Sequence, residues 1–437
     1  MQVRLAYGKE GLPVTLPEGL ESQVIRMKPE PAVQNPRQAI DDSLHQPIES
    51  APLSELARGR DSAVIVISDI TRPVPNQEIL PPMLATLEEA GIPCEKIVIL
   101  IATGIHRPNV GDELIELVGE EIAHNYRIEN HYSEDPDATE LIGHVCGDIP
   151  VYINKFYLQA DLKILTGLVE LHLMAGFSGG RKAILPGIAS LETMKHLHGY
   201  RMIQQDSTCN GLLQGNPFHE AGVEVARRAG ADFILNVTLN EERQITGVFA
   251  GELEAAHEKA CAHIEDHALV NIDEPADIVV TCGGGYPLDQ TLYQSIKGLV
   301  GALEAVKEGG TVILAAKNAE GAGSEAFIDL LRQLKEPMDF YRLVAGPNYV
   351  AKDQWMIQEL VNAAHHCQLL YYTEGISEDD LRDFLITPVD SVEEGLQQAL
   401  QRHGDDARVL VIPEGPYVMP KRSVPLEGIY SWQTSGS

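Results

Sequence analysis

The chain is short of positive charge. Its 437 residues hold 33 Lys and Arg against 64 Asp and Glu, a formal net charge of −31. That balance argues against nucleic acid as a partner, because gripping a phosphate backbone takes a basic footprint. No cluster of Lys or Arg suggests a membrane surface either. The six cysteines (94, 146, 209, 261, 282 and 367) include no C-x-x-C pair, which speaks against a zinc ribbon, an iron–sulfur cluster or a disulfide scaffold; buried free thiols are expected. Long apolar runs are missing too. The longest, 97–102 between Lys96 and Thr103, is far too short to span a bilayer. The opening MQVRLAYGKEGLPV lacks the parts of a signal peptide, so a cytoplasmic protein is expected. Two nucleotide signatures fail as well. Lys182 is followed by Ala183 rather than Ser or Thr, which breaks the P-loop pattern. Gly283-Gly284-Gly285 continues as Tyr286-Pro287-Leu288, which is not G-x-G-x-x-G.

What is present is a repeated alternation of short apolar runs and helical patterns. Runs at 62–69, 96–103, 161–166 and 233–240 read as buried strands, with helices at 76–90, 112–123 and 253–270 and a strand pair across Gly147-Asp148. A second series has strands at 277–282, 311–316, 342–345, 368–372 and 408–412, with helices at 291–307, 324–334, 353–364, 377–384 and 393–402. Continuous apolar strands of this kind belong to parallel sheets covered on both faces. The expected fold is α/β, two α/β domains with mainly parallel sheets and an active-site cleft between them. The predicted division is 1–270, 271–412 and a tail 413–437 that returns to the first domain.

In such sheets ligands bind beyond the carboxyl ends of the strands. Asp69-x-x-Arg72-Pro73, Thr103-Gly104-x-His106-Arg107 and Thr166-Gly167 through His172 all follow predicted strands. His106 and His172 carry imidazoles that exchange protons near neutrality. Arg72 suits a bidentate grip on a carboxylate, with Asp69 as its orienting partner. Gly179-Gly180-Arg181-Lys182 offers bare amides and cations for a phosphate, or an amine for covalent attachment. Arg72, Arg107, Arg181, Lys182 and Lys297 are the local cations that would reverse the field of the whole chain for an anionic substrate. His263 and His267 stand four apart and read as a solvated helix face.

Taken together, these segments resemble the nickel-dependent lactate racemase family over essentially the whole chain. The resemblance rests on the Asp69 and His106 segments, on His172-x-Met174-x-Gly176-x-Ser178-Gly179-Gly180-x-Lys182, on Pro186-Gly187 and Glu192-Thr193, and on Tyr286-Pro287-Leu288-Asp289 with Gln294-x-x-Lys297. It implies a racemase or epimerase that inverts C2 of a 2-hydroxy acid by reversible hydride transfer. It also implies a nickel-pincer nucleotide, that is, nickel on a pyridinium bis-thiocarboxylic acid mononucleotide. Lys182 would be the covalent tether, with Gly179, Gly180 and Arg181 beside the cofactor. His198 would be the nickel ligand, although this chain reads His196-Leu197-His198 where the family usually shows Asn-His. His106 and His172 would be the paired acid/base groups; Asp69, Arg72, Gln294, Lys297 and Trp355 would surround the substrate. Cofactor-biosynthesis proteins would be transient partners. Two other readings are a nicotinamide-dependent 2-hydroxy acid dehydrogenase and a non-catalytic nickel- or carboxylate-binding protein.

Overall fold

The computed structural model describes residues 1–205, 207–240, 242–344, 349 and 351–422. The chain forms two compact α/β units. One comprises 29–197 and 211–266; the other takes 1–28, 198–210 and the chain from 267 onward. No helix among the described residues is long and apolar enough to cross a membrane.

The unit built on 29–197 centres on six strands in the order Ile245–Gly251, Phe233–Leu239, Leu162–Leu168, Ala63–Ser68, Ile97–Ala102 and Arg127–Asn130. All neighbours are parallel except the antiparallel pair at the Ile245–Gly251 edge. Ala63–Ser68 is buried along almost its whole length, because both faces of the sheet are covered. On one face Ile65, Ile67, Ile99 and Ile101 pack with Ile79, Leu80, Met83, Leu84 and Leu87 of the helix Asn76–Glu89. Those helix positions repeat at the spacing of a single face, and each large side chain removed from water contributes about 1.5–3 kcal/mol. The expected helix over 112–123 is two, Asp112–Val118 and Glu120–Asn125, because Gly119 between them adopts a positive φ of 87°.

In the other unit six parallel strands run in the order Thr387–Pro388, Gln368–Tyr372, Val306–Ala315, Ala276–Cys282, Val409–Val411 and Ser22–Val24. The edge strand thus comes from the first residues of the chain. The hairpin of Gln2–Leu5 and Leu12–Thr15 packs Val3, Leu5, Val14 and Leu16 into the same core as Ile278, Val280 and Val411. Residues 1–28, expected with the first domain, side with the C-terminal sheet because their apolar groups and backbone are completed there. Met419–Arg422 pairs in parallel with Leu269–Ile272 within this unit rather than with the first sheet; 423–437 lie outside the described residues. Residues 342–344, expected as strand, end the helix Pro337–Val344, whose buried Phe340, Tyr341 and Val344 follow helical spacing; Ala345 lies outside the described residues. Cys261, Cys282 and Cys367 are buried free thiols as expected, but Cys146 is exposed and Cys94 and Cys209 are partly so.

Candidate active site

Strand order fixes where the first group of candidates gathers. From Ala63–Ser68 the chain adds Ile97–Ala102 and Arg127–Asn130 on one side, then returns to place Leu162–Leu168 on the other. The order reverses between Ala63–Ser68 and Leu162–Leu168, and a crevice opens at the carboxyl ends of strands at such a point. Asp69–Arg72 leaves one of these strands and Val169–His172 the other. Arg72 Nε lies 3.4 Å from Glu170 Oε1, an ion pair joining the two loops. The expected Asp69–Arg72 partnership is therefore replaced: Arg72 leans on Glu170, while Asp69 holds His106.

Asp69 is 4% exposed. Its Oδ2 sits 2.7 Å from His106 Nδ1, and its Oδ1 accepts from the Thr71 hydroxyl at 2.6 Å. Burial alone would raise this carboxyl. The charge and hydrogen bond of His106, the Thr71 hydroxyl and nearby Arg72 outweigh it and hold Asp69 below the usual carboxylate range. An ionised Asp69 accepts a hydrogen bond from the Nδ1–H of neutral His106, so the lone pair of that ring lies on Nε2.

The loop after Leu162–Leu168 is folded on itself. Leu171–His172 pairs with Gly176–Phe177 as a tight antiparallel hairpin. The Ser178 hydroxyl bonds the Leu168 carbonyl at 2.8 Å and receives the Glu170 amide at 2.9 Å. Gly176 is required here: its φ is 75°, and a Cβ would stand 2.1 Å from the Leu212 carbonyl oxygen. His172 Nδ1 accepts from the Met174 and Ala175 amides, both at 3.2 Å.

Lys182 lies in the short 3-10 turn Gly180–Ala183, and its side chain is half-buried. The Gly187 carbonyl accepts the Gly104 amide at 3.0 Å, which ties the Lys182 loop to the loop carrying His106. The bare amides expected of the glycines before Lys182 are not both available. The Gly180 amide is spent on Asn236 Oδ1 at 2.9 Å, and a Cβ on Gly180 would meet the His257 ring at 2.8 Å. Arg181 also turns inward. It is 1% exposed, donating to the Phe177 carbonyl at 2.9 Å and the Ala175 carbonyl at 2.6 Å, with His257 Nε2 at 3.0 Å. Burial brings its pKa down to about 10, which leaves it charged at neutral pH. The expected contact of Arg181 with a cofactor phosphate gives way to support of the loop. Arg107 is occupied by a bidentate pair with Glu113 on the surface.

The second group lies in the other unit. Of the two histidines considered as metal ligand, His196 is exposed in the helix Leu191–Leu197, whereas His198 is buried and belongs to the C-terminal unit. The His198 ring packs on Trp355, centroids 4.8 Å apart. Trp355 Nε1 donates to the Tyr293 hydroxyl at 2.6 Å. Tyr293 precedes Gln294 on the helix Leu292–Leu303, which begins after Cys282 at this sheet's own reversal of strand order. The Thr291 side chain caps it by accepting the Gln294 amide at 3.4 Å. The helix packs close because Gly298 has no side chain: a Cβ would lie 2.1 Å from the Cys282 carbonyl oxygen. Gln294 and Lys297 thus stand on the first turns of a helix pinned against the central strand, with Trp355 and His198 beside them.

Glu170, Asn236, His257 and Tyr293 were not anticipated. Each matters through a partner distant in sequence, although Glu170 and Tyr293 stood next to recognised motifs. Away from this site, His263 is not a solvated residue; it pairs with the buried Glu30 carboxylate.

Two family models match the chain, the lactate racemase N-terminal domain over residues 7–210 and the lactate racemase C-terminal domain over 272–419. A lactate racemase of Lactiplantibacillus plantarum is 38% identical over 387 residues, covering 88% of this chain and 91% of the relative. One from Thermoanaerobacterium thermosaccharolyticum is 35% identical over 421 residues, covering 95% and 98%. The solved lactate racemase apoprotein from the latter organism superposes with a TM-score of 0.91, covering 96% of this chain and 100% of that one. A Thermotoga maritima protein at 20% identity and TM-score 0.71 shares the fold. With both halves matched and the relatives aligned nearly end to end, the chain belongs to the lactate racemase family and is an isomerase, a racemase.

Proposed function

We propose that the chain inverts C2 of a 2-hydroxy carboxylate, with lactate the first substrate to test because both curated relatives carry that name. The observation that carries the reading is the Asp69–His106 pair at the strand-order reversal, on a loop joined through Gly104 and Gly187 to the one bearing Lys182.

The C2 hydrogen of a hydroxy carboxylate is a very weak acid beside an ionised carboxylate, so direct removal by histidine faces a large barrier. Departure as hydride is feasible if a base takes the hydroxyl proton as the carbonyl forms. We assign that base first to His106 Nε2: the imidazolium it becomes is stabilised by Asp69. His172 is assigned to the hydroxyl of the opposite enantiomer. Arg72 is assigned to the substrate carboxylate, sharing its guanidinium with Glu170, and Gln294, Lys297 and Trp355 to the rest of the substrate.

A hydride acceptor is required, and we assign the nickel-pincer nucleotide to Lys182 and His198. Their surroundings fit such a group. Lys182 is a half-buried amine on a turn whose glycines bring it close to Asn236 and His257. His198 is a single buried imidazole braced by Trp355, as expected where the remaining donors belong to the cofactor. When bound, the group supplies the two-electron acceptor; the chain supplies orientation and proton handling. We further propose transient contact with cofactor-biosynthesis proteins and a cytoplasmic location.

The test combines peptide mass spectrometry around Lys182, after co-expression with cofactor-synthesis enzymes, with a chiral assay of lactate and longer 2-hydroxy acids. An adduct on Lys182 and loss of enantiomeric excess are expected. An unmodified lysine or a fixed enantiomer for every acid would overturn the reading, and reduced nicotinamide formed from the acids would favour a dehydrogenase instead.

A further inference from the structure

The two imidazoles assigned to proton transfer are held in different ways. His106 Nδ1 faces a carboxylate held ionised, 2.7 Å away. An acceptor there requires a proton on Nδ1. His172 Nδ1 faces two backbone donors, the Met174 and Ala175 amides, each at 3.2 Å. Two donors there require a lone pair on Nδ1, so neutral His172 keeps its proton on Nε2.

Those amides are fixed from behind. The Ala175 carbonyl accepts from Arg181 at 2.6 Å and the Phe177 carbonyl at 2.9 Å, so the two arms of one planar guanidinium hold the last residue of the hairpin turn and the strand that returns from it. Arg181 is 1% exposed, and among the described residues no carboxylate pairs with it. The cation is held instead by carbonyl oxygens, with the neutral His257 ring, whose Nε2 also faces the Ser178 carbonyl at 2.8 Å, beside it. The space for its stem exists because residue 222 is glycine; a Cβ there would come within 2.8 Å of Arg181 Cγ. Burying a cation without a counter-ion is costly, and its hydrogen bonds run to the backbone of the hairpin that carries His172.

We propose that Arg181 is a positioning residue that fixes the tautomer of His172, so that the protein holds its two imidazoles in opposite forms: His106 protonated on Nδ1, His172 on Nε2. His106 then meets a hydroxyl as a base. His172 meets one as a hydrogen-bond donor; it can act as a base on Nε2 only in the other tautomer, with the ring proton moved to Nδ1 and the two amide contacts there broken. The catalytic meaning of this asymmetry rests on the function proposed above; the asymmetry itself does not.

The test is nitrogen NMR on full-length protein labelled with 15N-histidine, without cofactor, at neutral pH. Assignments come from His106→Asn and His172→Asn. The expected spectrum shows a pyrrole-type Nδ1 and pyridine-type Nε2 for His106 and the reverse for His172. Arg181→Lys retains the charge but not the fork, and should move both His172 nitrogens toward the average of the two tautomers while His106 stays put. Gly222→Ala displaces the Arg181 stem without removing it and should give a smaller shift in the same direction, which keeps the proposal testable if Arg181→Lys does not fold. The same tautomer at both histidines, or an unmoved His172 in folded variants, would overturn the proposal and leave the racemase reading standing. Opposite tautomers that respond to Arg181, in a protein that racemises nothing when loaded, would uphold the proposal and overturn that reading.

Discussion

The two sheets follow one plan and are finished differently. Beyond the carboxyl ends of the Ala63–Ser68 sheet, the ionisable groups answer one another: Asp69 with His106, Arg72 with Glu170, Arg181 with loop carbonyls. In the other unit the helix Gln354–His366 buries Gln354, Gln358, Glu359 and Asn362 almost completely. Both polar ends of Gln358, together with Gln354 Nε2, Glu359 Oε2 and Asn362 Nδ2, find no hydrogen-bond partner among the described residues. Buried polar atoms without partners are costly. The first arrangement is a preorganised charge network of the kind that lowers barriers. The second keeps hydrogen-bonding capacity in reserve and gives up stability to do so.

Breaking the first network should therefore cost rate. Lys182→Ala is expected to abolish turnover by cofactor-treated protein while leaving the melting temperature unchanged, since the side chain is half-exposed; retained activity in the chiral assay would remove the tether assignment. Asp69→Asn should lower kcat by about 10²-fold, within the range of general acid–base contributions, with KM little changed. Equal losses in kcat and affinity would point to collapse of the loop instead.

Changes in the second region should act on stability. Burial pushes Glu359 up to about 8 from an ordinary 4.5. Between those values the unfolded chain has shed a proton that the folded chain keeps, so stability falls as pH rises through that window. Glu359→Gln removes the slope and should raise the midpoint by about 5 °C at pH 8 and little at pH 4, measured by thermal melts across pH. A pH-independent difference would contradict the buried neutral acid. At the small end, Glu170→Gln should lower the KM of a carboxylate substrate about threefold, in line with a pair worth under about 1 kcal/mol, because the competitor for Arg72 is gone. Trp355→Phe keeps a ring against His198 but loses the bond to Tyr293 and should cost about 1 kcal/mol in stability.

Much of this was legible in the residues. Unbroken apolar runs such as 63–68 and 97–102 carry the parallel sheet, and segments that follow such strands carry His106, His172 and Lys182. What was not legible depends on partners far along the chain. Asp69 beside Arg72 suggested a local pair, but the fold delivers His106 to the carboxylate and Glu170 to the guanidinium. Gly179-Gly180 suggested phosphate binding, but Asn236 and His257 occupy the space those glycines leave. Residues 340–344 carry apolar groups that suit a strand locally, and only packing of Phe340, Tyr341 and Val344 on one face decides for helix.

The strand Ser22–Val24 lies beside Val409–Val411, which sets an order of events during synthesis. Translation delivers the first residues several hundred residues before their neighbour exists. The sheet they border is closed only when the chain is nearly complete, whereas 29–266 contain all six strands of the other sheet and are free to finish earlier. A truncated product lacking the opening segment would present Val409–Val411 as a raw edge, the kind of surface on which chains self-associate.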